Sequence, residues 1–482
     1  MCVAQGNVTP LKYISTRGAA PALEFDDVLL TGLARDGGLY VPESWPRLTS
    51  DDIMAMAGMS YPDVVARILE PFVKPHIDAA TLQHMTRDAY GAFGHAAVAP
   101  LKQLDRGLWL LELFHGPTLA FKDFALQLLG RLFDHVLGQR GETVTVIGAT
   151  SGDTGSAAIE ACRDRDAVQI FMLHPHGRVS DVQRRQMTTV TSANVHNIAV
   201  EGTFDDCQDL VKAMFNDLAF RDEMRMTAVN SINWARVVAQ VAYYFAAAAA
   251  LGVPRRQIAF AVPTGNFGNV YAGYAALAMG LPVSQLVVGS NRNDILTRFF
   301  ETGAMTIAEV HPTTSPSMDI QVSSNFERLL FDILDRDGGA VERTMLDFRR
   351  TGEMWLDDAR MNEVRELFDG DRRDDDATAA AIRDIHRRCG ELLDPHTAIG
   401  VAAAAAKRRD AEVPMVALAT AHPAKFPDAV EAASGIRPAL PDRLAHIMQA
   451  EERMSVLPND LAAVQGHVRS TLGSNRPMDG AA

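Results

Sequence analysis

Lys122 stands in the run FHGPTLAFKDFALQLLGRLF, flanked by Phe121 and Phe124 and surrounded mostly by apolar residues. A lysine so placed either reaches out to water along its alkyl stem or keeps its amine from water, where a depressed pKa makes it a nucleophile. Two loops elsewhere have the composition of anion sites. PTGNFGN, Pro263 to Asn269, lies between an apolar strand pattern and a helix pattern. Its Gly265 and Gly268 let the backbone turn and come close to a ligand, and the helix start offers unpaired N–H groups and the positive end of a dipole. Such a loop suits a phosphate, and it equally suits a tight turn with two conformational glycines. It is not a Walker A loop, because no Gly-Lys-Ser/Thr follows.

GATSGDTGSAA, Gly148 to Ala158, repeats the arrangement with Thr150, Ser151, Thr154 and Ser156 set among three glycines. Amides and hydroxyls at a helix start suit a carboxylate or a phosphate. The glycines do not follow the GxGxxG spacing of a dinucleotide loop. In VNSINWARVV, Asn230, Ser231 and Asn233 precede a long apolar helix pattern, and Arg236 falls in its first turns. An arginine there opposes the sign that a helix N-terminus favours, so it calls for an anionic partner, either a carboxylate of the chain or a ligand. His174 with His176, and His386 with Cys389, complete no set of three or four metal ligands, so no metal is expected. His115 and His422 adjoin these motifs, with packing as the default role. No GxSxG elbow supplies a hydrolase serine.

These residues need a scaffold to bring them together. Three times a β-rich or apolar run ends in a small-residue loop that opens an alanine-rich helix: TVTVIGATSGDTGSAAIEACRD, QIAFAVPTGNFGNVYAGYAALAMG and MVALATAHPAKFPDAVEAASG. That rhythm predicts α/β architecture, with open, twisted, mostly parallel sheets covered by helices on both faces. Ligands of such sheets bind where strands end and helices begin. Near the N-terminus, TSDDIMAMAGMSYPDVVARILEPFV has helical spacing, with Thr49 or Ser50 placed to cap. The segment from about residue 291 to 393 is rich in interleaved charge and reads as a helical insertion, and TLGSNRPMDGAA reads as a frayed tail.

The bulk properties narrow the class. A chain of 482 residues has room for two or three domains. Its formal charge of −14 argues against nucleic acid or an anionic membrane as the main partner, so any anionic ligand must be held locally. The four cysteines, Cys2, Cys162, Cys207 and Cys389, are far apart, and MCVAQGNVTPLKYISTRG lacks the regions of a signal peptide. Reduced thiols in a cytoplasm are the expectation, with no membrane span.

One amine in an apolar setting, one phosphate cradle and one hydroxyl-rich anion loop in an α/β chain point to pyridoxal 5′-phosphate. In that order, FHGPTLAFKD, ATSGDTGSAA, NSINWARV, PTGNFGN and LATAHPAKF resemble the threonine synthase family of fold-type II pyridoxal-phosphate enzymes, as do YISTRG and GLARDGGLYVP near the N-terminus. The resemblance spans about Tyr13 to Pro427. It implies a tryptophan synthase β-like fold with five parts: an N-terminal domain over 1–95, a large cofactor-binding α/β domain over 96–135, 216–290 and 394–440, a smaller α/β domain over 136–215, the insertion over 291–393, and a C-terminal extension over 441–482.

The same resemblance implies site residues. Lys122 would carry the cofactor, and Gly265, Asn266, Phe267, Gly268 and Asn269 would bind its phosphate. Thr420 matches the hydroxyl that faces the pyridine nitrogen. Asp153 falls where related enzymes often have an asparagine near the cofactor's 3′-oxygen, and a carboxylate there needs a proton or a rotation away. From residue type and position, Ser151, Gly152, Asp153 and Thr154 are the candidates for the substrate carboxylate. Asn233 and Arg236, with Ser231 and Lys425 as further donors, are those for the substrate phosphate. The implied reaction converts O-phospho-L-homoserine and water to threonine and phosphate, in a monomer or homodimer. A threonine or serine dehydratase, or another synthase of this cofactor class, would share the scaffold. A non-catalytic phosphate-ligand binding protein would not need the amine.

Overall fold

In the computed structural model, residues 10–227, 229 and 231–475 are described, which leaves Cys2 and Asn230 outside. The chain divides into two compact units, one drawn from Met1–Leu129 and Ser231–Ala439, the other from Gly130–Asn230 and Leu440–Ala482.

The first unit is built on a six-stranded sheet. Its spatial order is Phe368–Arg372, Val283–Ser290, Ile258–Pro263, Met415–Ala419, Leu108–Glu112 and Leu101–Asp105, with every neighbouring pair parallel except the last. The central strands IAFAVP and MVALA are buried along their whole length, as strands covered on both faces must be. On one face lies the helix Pro395–Lys407, whose Ala398, Ala403 and Ala404 share a core with Ala259, Ala261 and Ala417. Small residues let it come close: a Cβ on Gly400 would stand 2.9 Å from Cδ of Pro263. The helices Trp234–Ala250 and Gly268–Ala278 pack against each other, and Tyr244 of the first meets Phe260 of the sheet edge-on at 4.7 Å.

The N-terminal part of this unit holds a short hairpin, Tyr13–Ser15 with Tyr40–Pro42, and a run of helices. Thr49 is the N-cap of Ser50–Ala55 and forms a capping box with Asp52. The helical pattern then breaks at Gly58, which has φ +83°, and restarts at Tyr61–Val73 under a Ser60 cap.

The segment read as a helical insertion contains five α-helices and two strand features. The pair Ala304–Thr306 and Glu353–Trp355 is antiparallel, and Phe368–Arg372 adds an edge strand to the six-stranded sheet. FDGDR carries a single large apolar residue, so its strand signal is hidden by charge, which an edge strand can leave in water.

The second unit is a five-stranded parallel sheet in the order Ser455–Pro458, Val195–Glu201, Val168–Pro175, Val144–Ala149 and Met226–Thr227. The stretch expected to be an extension therefore supplies an edge strand, followed by the helix Leu461–Asn475. Val464 and Val468 of that helix are buried in the core around Phe171 and Ile198. Of the predicted tail, 471–475 is helical and 476–482 lies outside the described residues.

Candidate active site

Lys122 opens the helix Lys122–Arg140 immediately after a backbone tie to the end of the central strand Met415–Ala419. Ala120 and Ala421 form an antiparallel bridge, Phe121 N–H donates to the Thr420 carbonyl at 2.9 Å, and His422 N–H donates to the Leu119 carbonyl at 3.0 Å. Leu119 sits at φ 63°, a strained value for a branched residue, in the bend that delivers this tie. Lys122 is only 8% exposed, and its Nζ lies 5.0 Å from the centre of the Phe121 ring. The side chain does not snorkel. The residue is buried at the C-terminal edge of the parallel strands, where ligands of this architecture bind.

The neighbouring Asp123 is fully buried and accepts from Thr118 N–H at 2.8 Å and Thr118 Oγ1 at 2.6 Å. Burial pushes its pKa up to about 6, against the pull of Thr118 and of the Lys425 charge. A carboxyl whose folded pKa exceeds its unfolded value takes up its proton first in the folded state. Its contribution to stability is therefore fully present below about pH 4 and is lost as pH rises through about 6. Asp123→Asn should remove that slope: the thermal midpoint of the variant should gain on the wild type between pH 4 and 7. Parallel pH profiles of the two proteins would refute the assignment.

The PTGNFGN loop follows the strand Ile258–Pro263 and opens the helix Gly268–Ala278. The turn is made by Phe267 at φ 63°, not by either glycine. Its ring is held against Phe326 at 5.6 Å and Phe300 at 6.4 Å, which offsets a strain of about 1–2 kcal/mol. The glycines serve close approach instead. A Cβ on Gly265 would stand 2.6 Å from the Ser317 carbonyl oxygen, and one on Gly268 would stand 3.3 Å from Asn325 Nδ2.

The loop's carbonyls are taken up by the segment 323–325. Ser323 Oγ donates to the Gly265 carbonyl at 2.7 Å, and Asn325 donates to the Asn266 carbonyl through both N–H, at 3.1 Å, and Nδ2, at 3.0 Å. With its acceptors engaged, the loop presents donors: the first-turn amides of the helix and Asn269 Nδ2, which is buried without a hydrogen-bond partner among the described residues. Clustered donors with their acceptors turned away fit a phosphate, so these residues suit the phosphate end of pyridoxal phosphate.

Thr420 follows the central strand and is buried. Its N–H donates to Thr397 Oγ1 at 3.2 Å, and Thr397 in turn donates to Asp394, a fully buried carboxylate that also accepts from His396 N–H at 3.0 Å and meets His396 Nδ1 at 2.9 Å. Thr420 is thus fixed on one side by its carbonyl bond to Phe121 and on the other by the cap of the helix Pro395–Lys407.

The remaining candidates divide. Arg236 is buried in the first turn of the helix Trp234–Ala250, and burial alone draws its pKa down to about 10, so it stays charged at neutral pH. Ser231, half-buried, precedes that helix, and its carbonyl oxygen lies 3.9 Å from a Cβ built on Gly268. Asn233 is the helix N-cap: Oδ1 accepts from Ala235 N–H at 2.9 Å and Nδ2 donates to the Leu29 carbonyl at 2.8 Å. Both ends of its amide hold the fold, and the side chain is wholly buried. Lys425 is wholly buried too, with Nζ donating to the Thr118 carbonyl at 2.7 Å beside Asp123. The structure thus gives Asn233 and Lys425 structural work where sequence reading offered them to a phosphate. His422 accepts from Ala424 N–H at 3.1 Å as a cap, and His115 Nε2 pairs with Glu112 at 2.6 Å.

In the second unit, Gly152 is the N-cap of the helix Asp153–Cys162, with φ 140°. Thr150 Oγ1 accepts from Gly152 N–H at 2.9 Å and Gly155 N–H at 2.8 Å, which shapes the turn that carries Ser151 and Thr154. Asp153 is buried, and its Oδ1 accepts from Gln183 Nε2 at 2.9 Å.

The comparisons with known proteins agree with this chemistry. Residues 93–347 match the model "Pyridoxal-phosphate dependent enzyme", residues 12–90 match "Threonine synthase N terminus" and residues 397–468 match "Threonine synthase, C-terminal". The chain is 58% identical to the threonine synthase of Pseudomonas aeruginosa, over 97% of this chain and 100% of that one. The crystal structure of PLP-bound threonine synthase from Brucella melitensis superposes with a TM-score of 0.94 at 54% identity, covering 96% of this chain and 99% of that one. Threonine synthase from yeast gives 0.91 at 37% identity, over 96% and 99%. The fold and the matching family model define a fold-type II pyridoxal-phosphate-dependent enzyme. Within that class, the chain belongs to the threonine synthase family.

Sequence reasoning missed the residues that brace the site: Ser323 and Asn325 behind the cradle, Thr397 and Asp394 behind Thr420. The one signal on offer was SSN in a charged segment, and nothing in its spacing points to a loop 58 residues away in the chain.

Proposed function

We propose that this chain converts O-phospho-L-homoserine and water to L-threonine and inorganic phosphate, in the cytoplasm, as a monomer or homodimer. The observation that carries the reading is the amine of Lys122, withdrawn from water at the end of the central strand and tied through Phe121 to Thr420. Binding alone does not need a desolvated amine there; covalent chemistry does.

When bound, pyridoxal phosphate supplies an electron sink for charge that develops at the substrate's carbons. Lys122 would hold the cofactor and, with that group bound, would move protons at the substrate's carbons: Cβ gives up a proton as the γ-phosphate leaves, Cγ takes one up to become the methyl group, and water adds its hydroxyl at Cβ. The donors of 265–269 take the cofactor phosphate. Thr420 would offer its hydroxyl to the pyridine nitrogen. A hydroxyl does not keep that nitrogen protonated as a carboxylate would, so more of the developing charge must be met elsewhere in the site. Asp153, which accepts from Gln183, would need a proton or a rotation away to lie beside the cofactor's 3′-oxygen, and the turn Ser151–Thr154 is assigned to the substrate carboxylate by its hydroxyls and amides. Arg236, with Ser231, serves the leaving phosphate, because a doubly charged leaving group needs a fixed cation.

The test is to incubate the purified protein, loaded with cofactor, with O-phospho-L-homoserine and measure phosphate and threonine together. Equal amounts of both are expected. No phosphate from O-phospho-L-homoserine, with a 2-oxo acid and ammonia formed instead from L-threonine or L-serine, would move the assignment to a dehydratase, and no product from any of these substrates would reject it. Arg236→Ala should lower kcat/KM about a hundredfold while leaving the cofactor's absorption band in place. An unchanged kcat/KM would remove the arginine from the site.

A further inference from the structure

Asn269 is the one side chain of the cradle with an orphaned buried donor, and what fixes its orientation lies on a different helix. Tyr243 Oη donates to Asn269 Oδ1 at 2.5 Å; Tyr244 Oη donates to the Asn269 carbonyl at 2.7 Å and approaches Oδ1 at 3.1 Å. Both tyrosines are fully buried in the helix Trp234–Ala250. Tyr243 gives its single hydroxyl proton to Oδ1, the nearer of its two acceptors, while Tyr244 gives its own to the backbone carbonyl, so Oδ1 is held toward the tyrosines and Nδ2 is turned away from them. With the amide reversed, Oδ1 would be the atom left over, and a carboxamide oxygen repels an anion.

Tyr243 is itself fixed. Its hydroxyl lies 3.2 Å from Gln240 Oε1, and Gln240 Nε2 donates to the Arg236 carbonyl at 2.7 Å, which sets which end of that amide faces the phenol. Its ring meets Phe124 edge-on at 5.8 Å, two residues beyond Lys122 in the helix Lys122–Arg140, and Phe124's carbonyl accepts from Tyr90 Oη at 2.8 Å. The same phenol therefore touches both the wall behind the lysine and the amide of the cradle.

We propose that Tyr243 and Tyr244 are positioning residues that aim Asn269 Nδ2 at the cofactor phosphate, and so set the affinity for the phosphorylated cofactor in particular. This rests on the reading that Asn269 serves that phosphate. A tyrosine present only to fill the core would act on the whole site alike, whereas one that works through Asn269 discriminates between cofactor with and without its phosphate.

The experiment titrates cofactor-free protein, prepared from the holoenzyme, with pyridoxal 5′-phosphate and separately with pyridoxal. Wild type, Asn269→Ala, Tyr243→Phe, Tyr244→Phe and the three combined are compared, with phenylalanine keeping the rings in place. Each single variant should weaken pyridoxal 5′-phosphate about tenfold and leave pyridoxal within about twofold, and the combined variant should be no weaker than Asn269→Ala alone. Equal losses for both ligands in the tyrosine variants, losses that add to that of Asn269→Ala, or no loss at all would overturn the positioning role. If Asn269→Ala itself leaves the phosphorylated cofactor unaffected, the assignment of the cradle fails first and the proposal falls with it.

Discussion

Lys122→Ala should abolish the reaction while leaving the fold intact: kcat for phosphate release should fall by at least about a thousandfold, and the visible absorption of the bound cofactor should be lost. The effect is large because the amine has two duties, holding the cofactor and moving protons, and no other lysine of the site is free to replace it. Lys425 is the nearest candidate in sequence reasoning, but its ammonium donates to the Thr118 carbonyl beside Asp123. Folding should survive, since alanine is a strong helix former at a helix start. The measurements are phosphate release, the absorption spectrum and the thermal midpoint of one preparation. Activity within about tenfold of wild type in a folded variant would sink the role given to Lys122. Lys122→Arg should be no better than alanine, because a guanidinium stays protonated and cannot act as the nucleophile.

How far the sequence alone reveals this molecule depends on whether the signal is local. The three strand-loop-helix units are legible because a buried strand, a glycine loop and an alanine-rich helix follow one another directly. Lys122 and the 265–269 loop stand out in the sequence for the same reason. What the glycines do there could not, since the contacts that require them come from Ser317 and Asn325. Arg236 was flagged by its unfavourable place in a helix, a local argument that the burial supports. Asn233 carried the same local features and turned out to be a cap, because residue type cannot tell whether an amide is already committed to its own backbone. The strands Phe368–Arg372 and Ser455–Pro458 were hidden because edge strands need little apolar sequence. Everything that braces the cradle, from Ser323 and Asn325 to the paired tyrosines, depends on contacts between distant parts of the chain.

Arg328 is the strongest case of such a hidden brace, and its replacement should have the largest effect on stability. It is wholly buried in the helix Phe326–Ile333 and joins three otherwise separate pieces. Nε donates to the Tyr40 carbonyl of the N-terminal hairpin at 3.0 Å, Nη2 to the Ile232 carbonyl just ahead of the Arg236 helix at 2.5 Å, and Nη1 to Asn325 Oδ1. The guanidinium also lies over Trp234, 5.8 Å from its ring. Burial draws its pKa down to about 10, so it remains charged at neutral pH. Arg328→Met keeps the volume and leaves three buried acceptors without donors, at about 1–3 kcal/mol each, partly offset because a cation no longer has to be desolvated. A net loss of about 3–5 kcal/mol is expected, read as a fall in the thermal midpoint of the cofactor-free protein. Arg328→Lys should recover little, since one ammonium cannot reproduce a planar fork that reaches three directions. Asn325 would lose the bond that orients its amide toward Asn266, so cofactor affinity should fall along with stability. An Arg328→Met protein with an unchanged midpoint would mean that the three carbonyl-type acceptors find other donors, and one that unfolds earlier yet binds cofactor normally would show that the cradle does not depend on Asn325 being held.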